Sequence, residues 1–211
     1  MLQFIKFQKS YGSFLALKLE DFSIEPGIYW ITGANGSGKS TLLKTVAGIL
    51  SFDGDILLNN EISIKKQPVT YRTLVNFAEA EPVFPEFLTG NEMIRLFATA
   101  KNAPSAQEKY FIERMKMQSY IDRPLGIYSS GMLKKLSLVL AFIGNPKIIL
   151  LDEPLITLDS ESLKIFYNWI AEKHEKDGIS FFLSSHQDLN RDGLFATREL
   201  LVENKTVKFN S

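Results

Sequence analysis

The feature that most constrains this chain is a glycine-rich run, GANGSGKST, at residues 33–41. It fits the pattern G-x-x-x-x-G-K-[ST], in which backbone N–H groups point inward and cradle phosphate groups. Glycines are required because side chains would block the approach of a phosphate and because some positions take positive φ. The apolar run Ile28–Thr32 before it predicts a buried strand. Thr41–Leu50 after it predicts a helix whose N-terminus faces the phosphates. A chance match in a glycine-rich turn would not explain strand, loop and helix in this order.

The loop predicts a bound nucleotide and a magnesium ion. Lys39 would reach the β- and γ-phosphates, and the Ser40 hydroxyl would ligate Mg²⁺. The remaining phosphate contacts are expected from the other members of the loop, which are Gly33, Asn35, Gly36, Ser37, Gly38 and Thr41.

Length and composition exclude several classes of protein. The length of 211 residues fits a single domain with a substantial core, so 1–211 is taken as one domain. The 24 basic and 24 acidic residues cancel, which gives no bias toward nucleic acid, and no nucleic-acid partner is expected. The absence of cysteine excludes disulfides and thiolate metal sites. No apolar run approaches the roughly 18 residues of a membrane span, so any membrane role is expected to come through a partner.

Hydrophobic periodicity divides the chain into a β-rich and a helical part. Residues 1–32 and 51–80 are predicted to hold antiparallel and core strands, since apolar and polar positions alternate over 2–32. Residues 86–143 are predicted to form a helical insertion between two core strands. Its expected helices are Thr89–Thr99, Ser105–Ser119 and an amphipathic Leu133–Ile143. Arg198–Phe209 predicts a hairpin that closes near residues 203–205. The fold class expected is α/β, a phosphate-loop (P-loop) NTPase core with a mostly parallel sheet.

A second element of a nucleotide site follows the apolar run at 147–151. Asp152 and Glu153 end that predicted strand. An Asp at the carboxyl end of a strand beside a phosphate loop can hold Mg²⁺ directly or through water. Glu153 would then orient or deprotonate the water that attacks the γ-phosphate. The alternative is a strand that ends in a solvated acidic turn.

Another predicted strand, Ile179–Ser185, ends in His186. A lone histidine at the end of a strand is commonly structural. In this core, however, His186 could sense a γ-phosphate through a hydrogen bond, and it is the second catalytic candidate beside Glu153.

A serine-glycine motif makes a family resemblance specific. Residues 128–132 read YSSGM and precede a predicted helix. The order of phosphate loop, helical insertion, serine-glycine signature, Asp-Glu strand and histidine resembles the ATP-binding cassette (ABC) family over nearly the whole chain. A serine N-cap explains SSGM alone equally well.

The resemblance implies an ABC ATPase fold with an N-terminal antiparallel β-subdomain and a helical subdomain that carries the signature. It also implies a head-to-tail pair of cassettes, a homodimer or two different cassettes, with ATP held between the phosphate loop of one and the signature of the other. By position in the motifs, it assigns Ser129, Ser130 and Gly131 to the signature. It assigns Asp159 to the dimer-interface loop and His186 to the switch histidine. It also matches Tyr11 to the aromatic residue that stacks on adenine, and an ordinary strand aromatic is the alternative there.

The sequence departs from the family in the lid loop at residues 76–82, NFAEAEP. The family's glutamine, which contacts Mg²⁺ and water, aligns with Ala80. Either Glu79 or Glu81 substitutes for it, or the loop has lost its ligand and hydrolysis is slow. The signature also differs, with Tyr128, Ser130 and Met132 in place of the commonest residues.

The resemblance implies an energy-coupling ATPase subunit of a membrane transporter. Its partner would be a transmembrane permease that contacts Pro82–Phe87 and the helical insertion, and internal packing of that segment is the alternative. The chain would be cytoplasmic and peripheral on the inner face of the cell membrane. Two other functions remain open: a cassette that works on ribosomes or DNA, and a nucleotide-gated binding module with little turnover.

Overall fold

The fold is built on a sheet whose strands are mostly parallel. The computed structural model describes residues 1–104, 106–185 and 198–210. Within these ranges the sheet has six strands in the order β10-β9-β3-β8-β7-β6. The pairs β9–β3, β3–β8, β8–β7 and β7–β6 are parallel, and β10 closes one edge antiparallel to β9. The strands are β3 (Ile28–Thr32), β6 (Val75–Ala78), β7 (Ile148–Leu151), β8 (Ser180–Ser184), β9 (Arg198–Glu203) and β10 (Thr206–Asn210).

The central strands are apolar throughout because both faces of the sheet are covered. In β3, Ile28 and Trp30 belong to one hydrophobic core, whereas Tyr29 and Ile31 belong to the other. Parallel strands that are buried on both faces read as continuous apolar runs rather than as alternating ones. The predicted strands at 28–32, 147–151 and 179–185 are thereby confirmed within a residue or two.

The N-terminal part forms a separate antiparallel sheet. Its order is β2-β1-β4-β5, with β1 (Leu2–Tyr11), β2 (Phe14–Ile24), β4 (Asp53–Leu58) and β5 (Ile62–Ser63). The predicted antiparallel strands are confirmed for β1 and β2, whereas β3 is parallel to both of its neighbours. Within residues 51–80, which are predicted to be mainly β-rich, Pro68–Leu74 form helix α2. Proline at the first turn of that helix is well tolerated because its missing N–H would have no intrahelical partner there.

The helices differ in detail from their predicted bounds. Helices α1 (Lys39–Val46) and α6 (Ser160–Asp177) pack against β8 of the central sheet. The insertion holds α3 (Gly90–Ala100), α4 (Gln107–Arg114) and α5 (Ser130–Phe142). Helix α1 ends before the predicted Leu50 because Gly48, at φ +73°, closes its C-terminus and donates to the Thr45 carbonyl. Helix α3 begins after Thr89, which forms a capping box with Glu92. Helix α4 is shorter than predicted.

Helix α5 is the largest departure from the sequence reading. It starts at Ser130 rather than at Leu133, with Ser129 as its N-cap. Its second half, from Leu136 to Phe142, is buried, so the helix is not amphipathic as predicted. It lies in the core between the helical part and strands β6 and β7.

The predicted C-terminal hairpin is confirmed by β9 and β10. Their turn residues Asn204 and Lys205 both have positive φ, 47° and 62°, as a two-residue hairpin with the twist of the flanking strands requires. None of the helices in the described part of the chain is long and apolar enough to cross a membrane.

Candidate functional site

The parallel sheet brings the sequence motifs to one edge. Because β3, β8, β7 and β6 run in the same direction, the residues after their carboxyl ends are neighbours, and ligands of open α/β sheets bind there. These residues are, in spatial order, the phosphate loop after β3, Ser185 after β8, Asp152 and Glu153 after β7, and Glu79 after β6. His186 follows Ser185 but lies outside the described residues.

The first glycine of the phosphate loop cannot be replaced without moving the backbone. Gly33 has φ +142°, and a Cβ there would lie 2.3 Å from the Val202 carbonyl oxygen and 2.6 Å from Ser37 Oγ. Gly36 and Gly38 also have positive φ, at 76° and 111°. The loop therefore has the close approach and the backbone conformation that its pattern predicts. Exposed members of the loop are Ala34, Asn35, Gly36 and Ser40.

Ser37 supplies an observation that fits a phosphate ligand. Its backbone N–H donates to the Ala34 carbonyl at 3.1 Å, which folds the loop into a turn. Its Oγ is buried and has no hydrogen-bond partner among the described residues. A buried hydroxyl without a partner costs free energy, so a phosphate oxygen within reach would satisfy it.

Lys39 lies beneath the loop. Its Nζ donates to the carbonyls of Gly33 at 2.8 Å and Ala34 at 3.2 Å. The pKa of Lys39 lies below its usual value because burial lowers it more than the carboxylates of Glu153 and Asp152 raise it. The phosphate loop and the two predicted carboxylates follow β3 and β7 at the same edge of the sheet.

The carboxylate pair is held by a hydroxyl from the neighbouring strand. Asp152 and Glu153 are buried, with 2% and 8% of their surfaces exposed. Ser184 Oγ donates to Asp152 Oδ1 at 2.6 Å and accepts the backbone N–H of Glu153 at 3.1 Å. Glu153 has φ +46°, a conformation that costs about 1–3 kcal/mol in a residue with a Cβ and is retained at functional sites by surrounding contacts. A solvated acidic turn does not fit this burial.

Ser184 is a functional candidate that the sequence reading missed. It ends the apolar strand β8 and is fully buried, with 0% of its surface exposed. The available signal was a serine in the interior run FFLSS beside the strand that carries two carboxylates. That signal needs the strand order, because β8 pairs with both β3 and β7.

The oxygen donors at this edge fit magnesium. A carboxylate and a hydroxyl, from Asp152 and Ser40, are the hard oxygen ligands that Mg²⁺ takes, with the rest of its shell from phosphates and water. No group of three or more metal-ligating side chains occurs among the described residues, which is compatible with such a sparse protein shell.

Tyr11 lies beside the phosphate loop, as its predicted role requires. Its hydroxyl is 3.4 Å from Thr41 Oγ1 in the first turn of α1, and 48% of its surface is exposed. The Nζ of Lys9 lies 4.6 Å from the centre of the ring. The exposed ring can therefore accept a flat partner near the loop.

The signature residues lie at the exposed N-terminus of α5. Ser129 Oγ accepts the N–H of Met132 at 3.3 Å, so the serine N-cap is present. Ser129 and Ser130 are exposed. The Gly131 position is close to the Thr157 carbonyl, from which a Cβ would be 3.2 Å away.

Asp159 has several partners within the chain. It caps α6 by accepting the N–H of Ser162 at 2.8 Å, and Lys135 of α5 lies 2.8 Å from its Oδ2. The Lys135 ammonium and the bonds from Ser162 hold the pKa of Asp159 well below its usual range. The predicted interface aspartate therefore ties the signature helix to the loop after Glu153.

The three side chains of the lid loop at or beside the position of the glutamine differ in their surroundings. Ala80 offers only a methyl group. Glu79 forms an ion pair with Lys44 of α1. Glu81 is exposed. Which glutamate, if either, replaces the glutamine thus stays a prediction.

Comparison with known proteins decides the family. The profile described as ABC transporter matches residues 17–156, which include the phosphate loop, the signature and the carboxylate pair. The chain belongs to the ABC transporter family. Its fold is that of the ATPase cassettes of this family.

Relatives and solved structures agree with this membership. A protein of Legionella pneumophila (strain Lens) named cytochrome c biogenesis ATP-binding export protein CcmA is 34% identical over 164 residues, which cover 77% of this chain and 80% of that protein. Mouse ATP-binding cassette sub-family A member 7 is 29% identical over 188 residues, or 86% of this chain, and the chain spans only 9% of that protein.

Two solved structures show the same fold. One, described as the ATP binding subunit of an ABC transporter, has a TM-score of 0.88 at 24% identity and covers 100% of this chain and 89% of its own. The other is the cassette MJ0796 in a dimeric post-hydrolysis state with ADP and Pi, at a TM-score of 0.83 and 20% identity, covering 100% of this chain and 98% of its own.

Replacement of Ser184 tests the geometry of the carboxylate pair. We expect Ser184→Ala to raise the Mg²⁺ concentration for half-maximal ATP hydrolysis, because Asp152 loses a donor and the Glu153 N–H loses its acceptor. Ser180→Ala is the matched control, since Ser180 Oγ accepts the Gly27 N–H at 3.2 Å at the other end of the same strand. Both variants should lose about 1–3 kcal/mol of unfolding free energy. Ser184→Thr should restore the Mg²⁺ dependence, and an unchanged dependence in Ser184→Ala would refute the role.

Proposed function

We propose that this chain is the ATP-binding and ATP-hydrolysing subunit that powers a membrane transporter. The observation that carries the proposal is that the loop leading to Lys39 and the buried pair Asp152 and Glu153 follow the carboxyl ends of β3 and β7 at one edge of the sheet. ATP and Mg²⁺ are the ligands that this set of a cation, hard oxygen donors and a buried base requires. The name of the Legionella relative, an export protein, favours export as the direction of transport.

The residues of the candidate site have different proposed roles in ATP binding and hydrolysis. The phosphate loop and Lys39 bind the β- and γ-phosphates, and the Ser37 hydroxyl gains its missing partner there. Ser40 and Asp152 would hold Mg²⁺, which when bound neutralises phosphate charge. Glu153 accepts a proton from the attacking water or orients that water. Tyr11 stacks on adenine, and His186 is proposed to contact the γ-phosphate.

A dimer would complete the site. The exposed N-terminus of α5, with Ser129, Ser130 and Gly131, can present N–H groups and a hydroxyl to a γ-phosphate held by a second cassette. Asp159 lies at the same surface through its ion pair with Lys135 of α5. The cassette MJ0796 has been solved as a dimer with ADP and Pi, which supports a paired arrangement, as a homodimer or with a different cassette.

A groove between the lid loop and α3 is proposed to receive the permease. Its volume is about 290 Å³, and its apolar lining includes Ile49, Val83, Phe84 and Phe97. Val83 is 88% exposed, and Phe87 nearby is 81% exposed. An apolar groove of this kind fits a short helix from a membrane protein. Binding there would place the chain on the inner face of the cell membrane.

One observation favours a second function. Ala80 cannot ligate Mg²⁺, and Glu79 is paired with Lys44. A cassette with this lid loop could bind ATP and switch a partner with slow turnover. The buried Glu153 favours hydrolysis over this alternative.

Replacement of the proposed base separates hydrolysis from binding. We expect Glu153→Gln to keep ATP affinity, to lose at least about 90% of phosphate release, and to form a long-lived dimer with ATP, because an amide cannot accept the proton. Phosphate release and size-exclusion chromatography with Mg²⁺ and ATP measure these effects. Hydrolysis at the wild-type rate in this variant would assign the base elsewhere, with Glu81 the next candidate.

The groove can be tested with membranes of the native host. The wild-type chain should co-sediment with them, whereas Val83→Asp should reduce the bound fraction because it puts a charge into the apolar groove. Val69→Asp is the matched control, since Val69 is 77% exposed on α2 and does not line the groove. Equal retention of the two variants would contradict the docking surface.

A further inference from the structure

Helix α5 carries a buried lysine that the proposed reaction does not use. Lys134 lies one turn after Ser130 and Gly131, and only 1% of its surface is exposed. Burial of an ammonium group costs several kcal/mol unless its donors are fully satisfied. The neighbouring positions toward the end of the helix, Leu136 and Leu138, are core residues. A lysine in this position therefore needs a specific set of partners.

Those partners are backbone carbonyls from two segments of the site. Lys134 Nζ donates to the carbonyl oxygens of Glu79 at 3.1 Å, Ala80 at 3.0 Å and Asp152 at 3.2 Å. A lysine has three N–H donors and no acceptor, so all of its hydrogen-bonding capacity is used. One nitrogen atom thus joins the signature helix, the start of the lid loop and the end of the strand that bears the carboxylate pair.

The contact extends the sheet beyond its last paired residues. Strands β6 and β7 pair as far as Ala78 and Leu151, and the Asp152 N–H then donates to the Ala78 carbonyl at 2.9 Å. Beyond that bond, Lys134 joins the two segments through the carbonyls of Glu79, Ala80 and Asp152. The backbone that leads into Glu153 is therefore held on one side by Ser184 and on the other by Lys134.

The same loop forms a wall of the groove. Glu79, Pro82, Val83 and Phe84 line it, and the carbonyls of Glu79 and Ala80 face Lys134 behind the wall. A displacement of the loop by a groove ligand would pull on the Lys134 ammonium and through it on Asp152. This route uses backbone carbonyls, so it does not need a ligating side chain at Ala80.

We infer that Lys134 is a positioning residue that couples the lid loop to the carboxylate pair Asp152 and Glu153. The inference rests on the proposed function, because an effect of Lys134 on turnover requires that the chain hydrolyses ATP. It explains how the lid loop can act without the glutamine that Ala80 replaces, since the loop contacts Asp152 through Lys134 instead. It also predicts that the loss of Lys134 changes turnover more than nucleotide affinity.

The test compares two lysines whose ammonium groups donate to backbone carbonyls. The half-buried Lys101 is the control, because its Nζ also donates to backbone carbonyls, those of Arg72 and Val75, at the other end of β6. Since Lys101 lines the groove, both variants are compared in the isolated chain, without a permease. Lys134→Met should lower kcat roughly tenfold or more, as small displacements of catalytic groups do, with KM for ATP changed by less than about threefold. Amide exchange at Asp152 and Glu153 in the isolated chain should become faster. Lys101→Met should destabilise the fold but leave kcat and this exchange unchanged.

The outcomes separate the inference from the proposed function. Unchanged kcat and exchange in Lys134→Met would overturn the inference, as would an equal loss in Lys101→Met. If the Met variant does not fold, Lys134→Arg takes its place, because a planar guanidinium cannot place its donors on all three carbonyls and should also lower kcat. A wild-type chain without phosphate release would refute the proposed function, and the exchange measurement would still decide whether Lys134 holds the segment.

Discussion

The structure depends on a parallel sheet that is buried on both faces. Because β3, β8, β7 and β6 run in one direction, their carboxyl ends must meet at one edge, and the phosphate loop, the carboxylate pair and the lid loop each follow one of these ends. The two hydrophobic cores, one on each face, fix the positions of the strands. The site is thus a consequence of core packing, and its residues need only occupy the ends of strands that the core already orders.

Two buried lysines near this edge of the sheet are stabilised in the same way. Lys39 and Lys134 are both buried and both donate to backbone carbonyls, the first to its own phosphate loop and the second to the lid loop and Asp152. A buried ammonium is costly unless it is paired, so each lysine strongly favours one arrangement of the loops around it. Ser184 adds a neutral contact between the two carboxylate residues. The strained φ of Glu153 is therefore supported from two sides.

Much of this arrangement could be predicted from the sequence because local patterns carry it. The phosphate loop, the central strands and the hairpin turn at Asn204 and Lys205 all have short-range signals, namely glycine spacing, apolar runs and turn residues. Elements that depend on tertiary contacts were harder to predict from the sequence. The sequence predicts an amphipathic α5, yet its lysines Lys134 and Lys135 both contact distant segments of the chain.

The roles of Ser184 and Lys134 could not be predicted for the same reason. Their partners lie on neighbouring strands and loops, so the strand order must be known first. The α2 helix was missed because its seven residues give too short a window for a 3.6-residue period to stand out. His186 stays a prediction, since it lies outside the described residues.

The central claim is that the edge of the sheet binds nucleotide phosphates through Lys39. The most direct measurement is a titration of the purified chain with Mg²⁺ and a fluorescent ATP analogue, comparing Lys39→Ala with Lys109→Ala, a lysine whose side chain is 79% exposed on α4. Charge-assisted bonds contribute about 1.5–3 kcal/mol, so Lys39→Ala should weaken binding roughly 10- to 100-fold. Lys109→Ala should bind as the wild type does. Equal affinity in Lys39→Ala and the wild type would contradict the account.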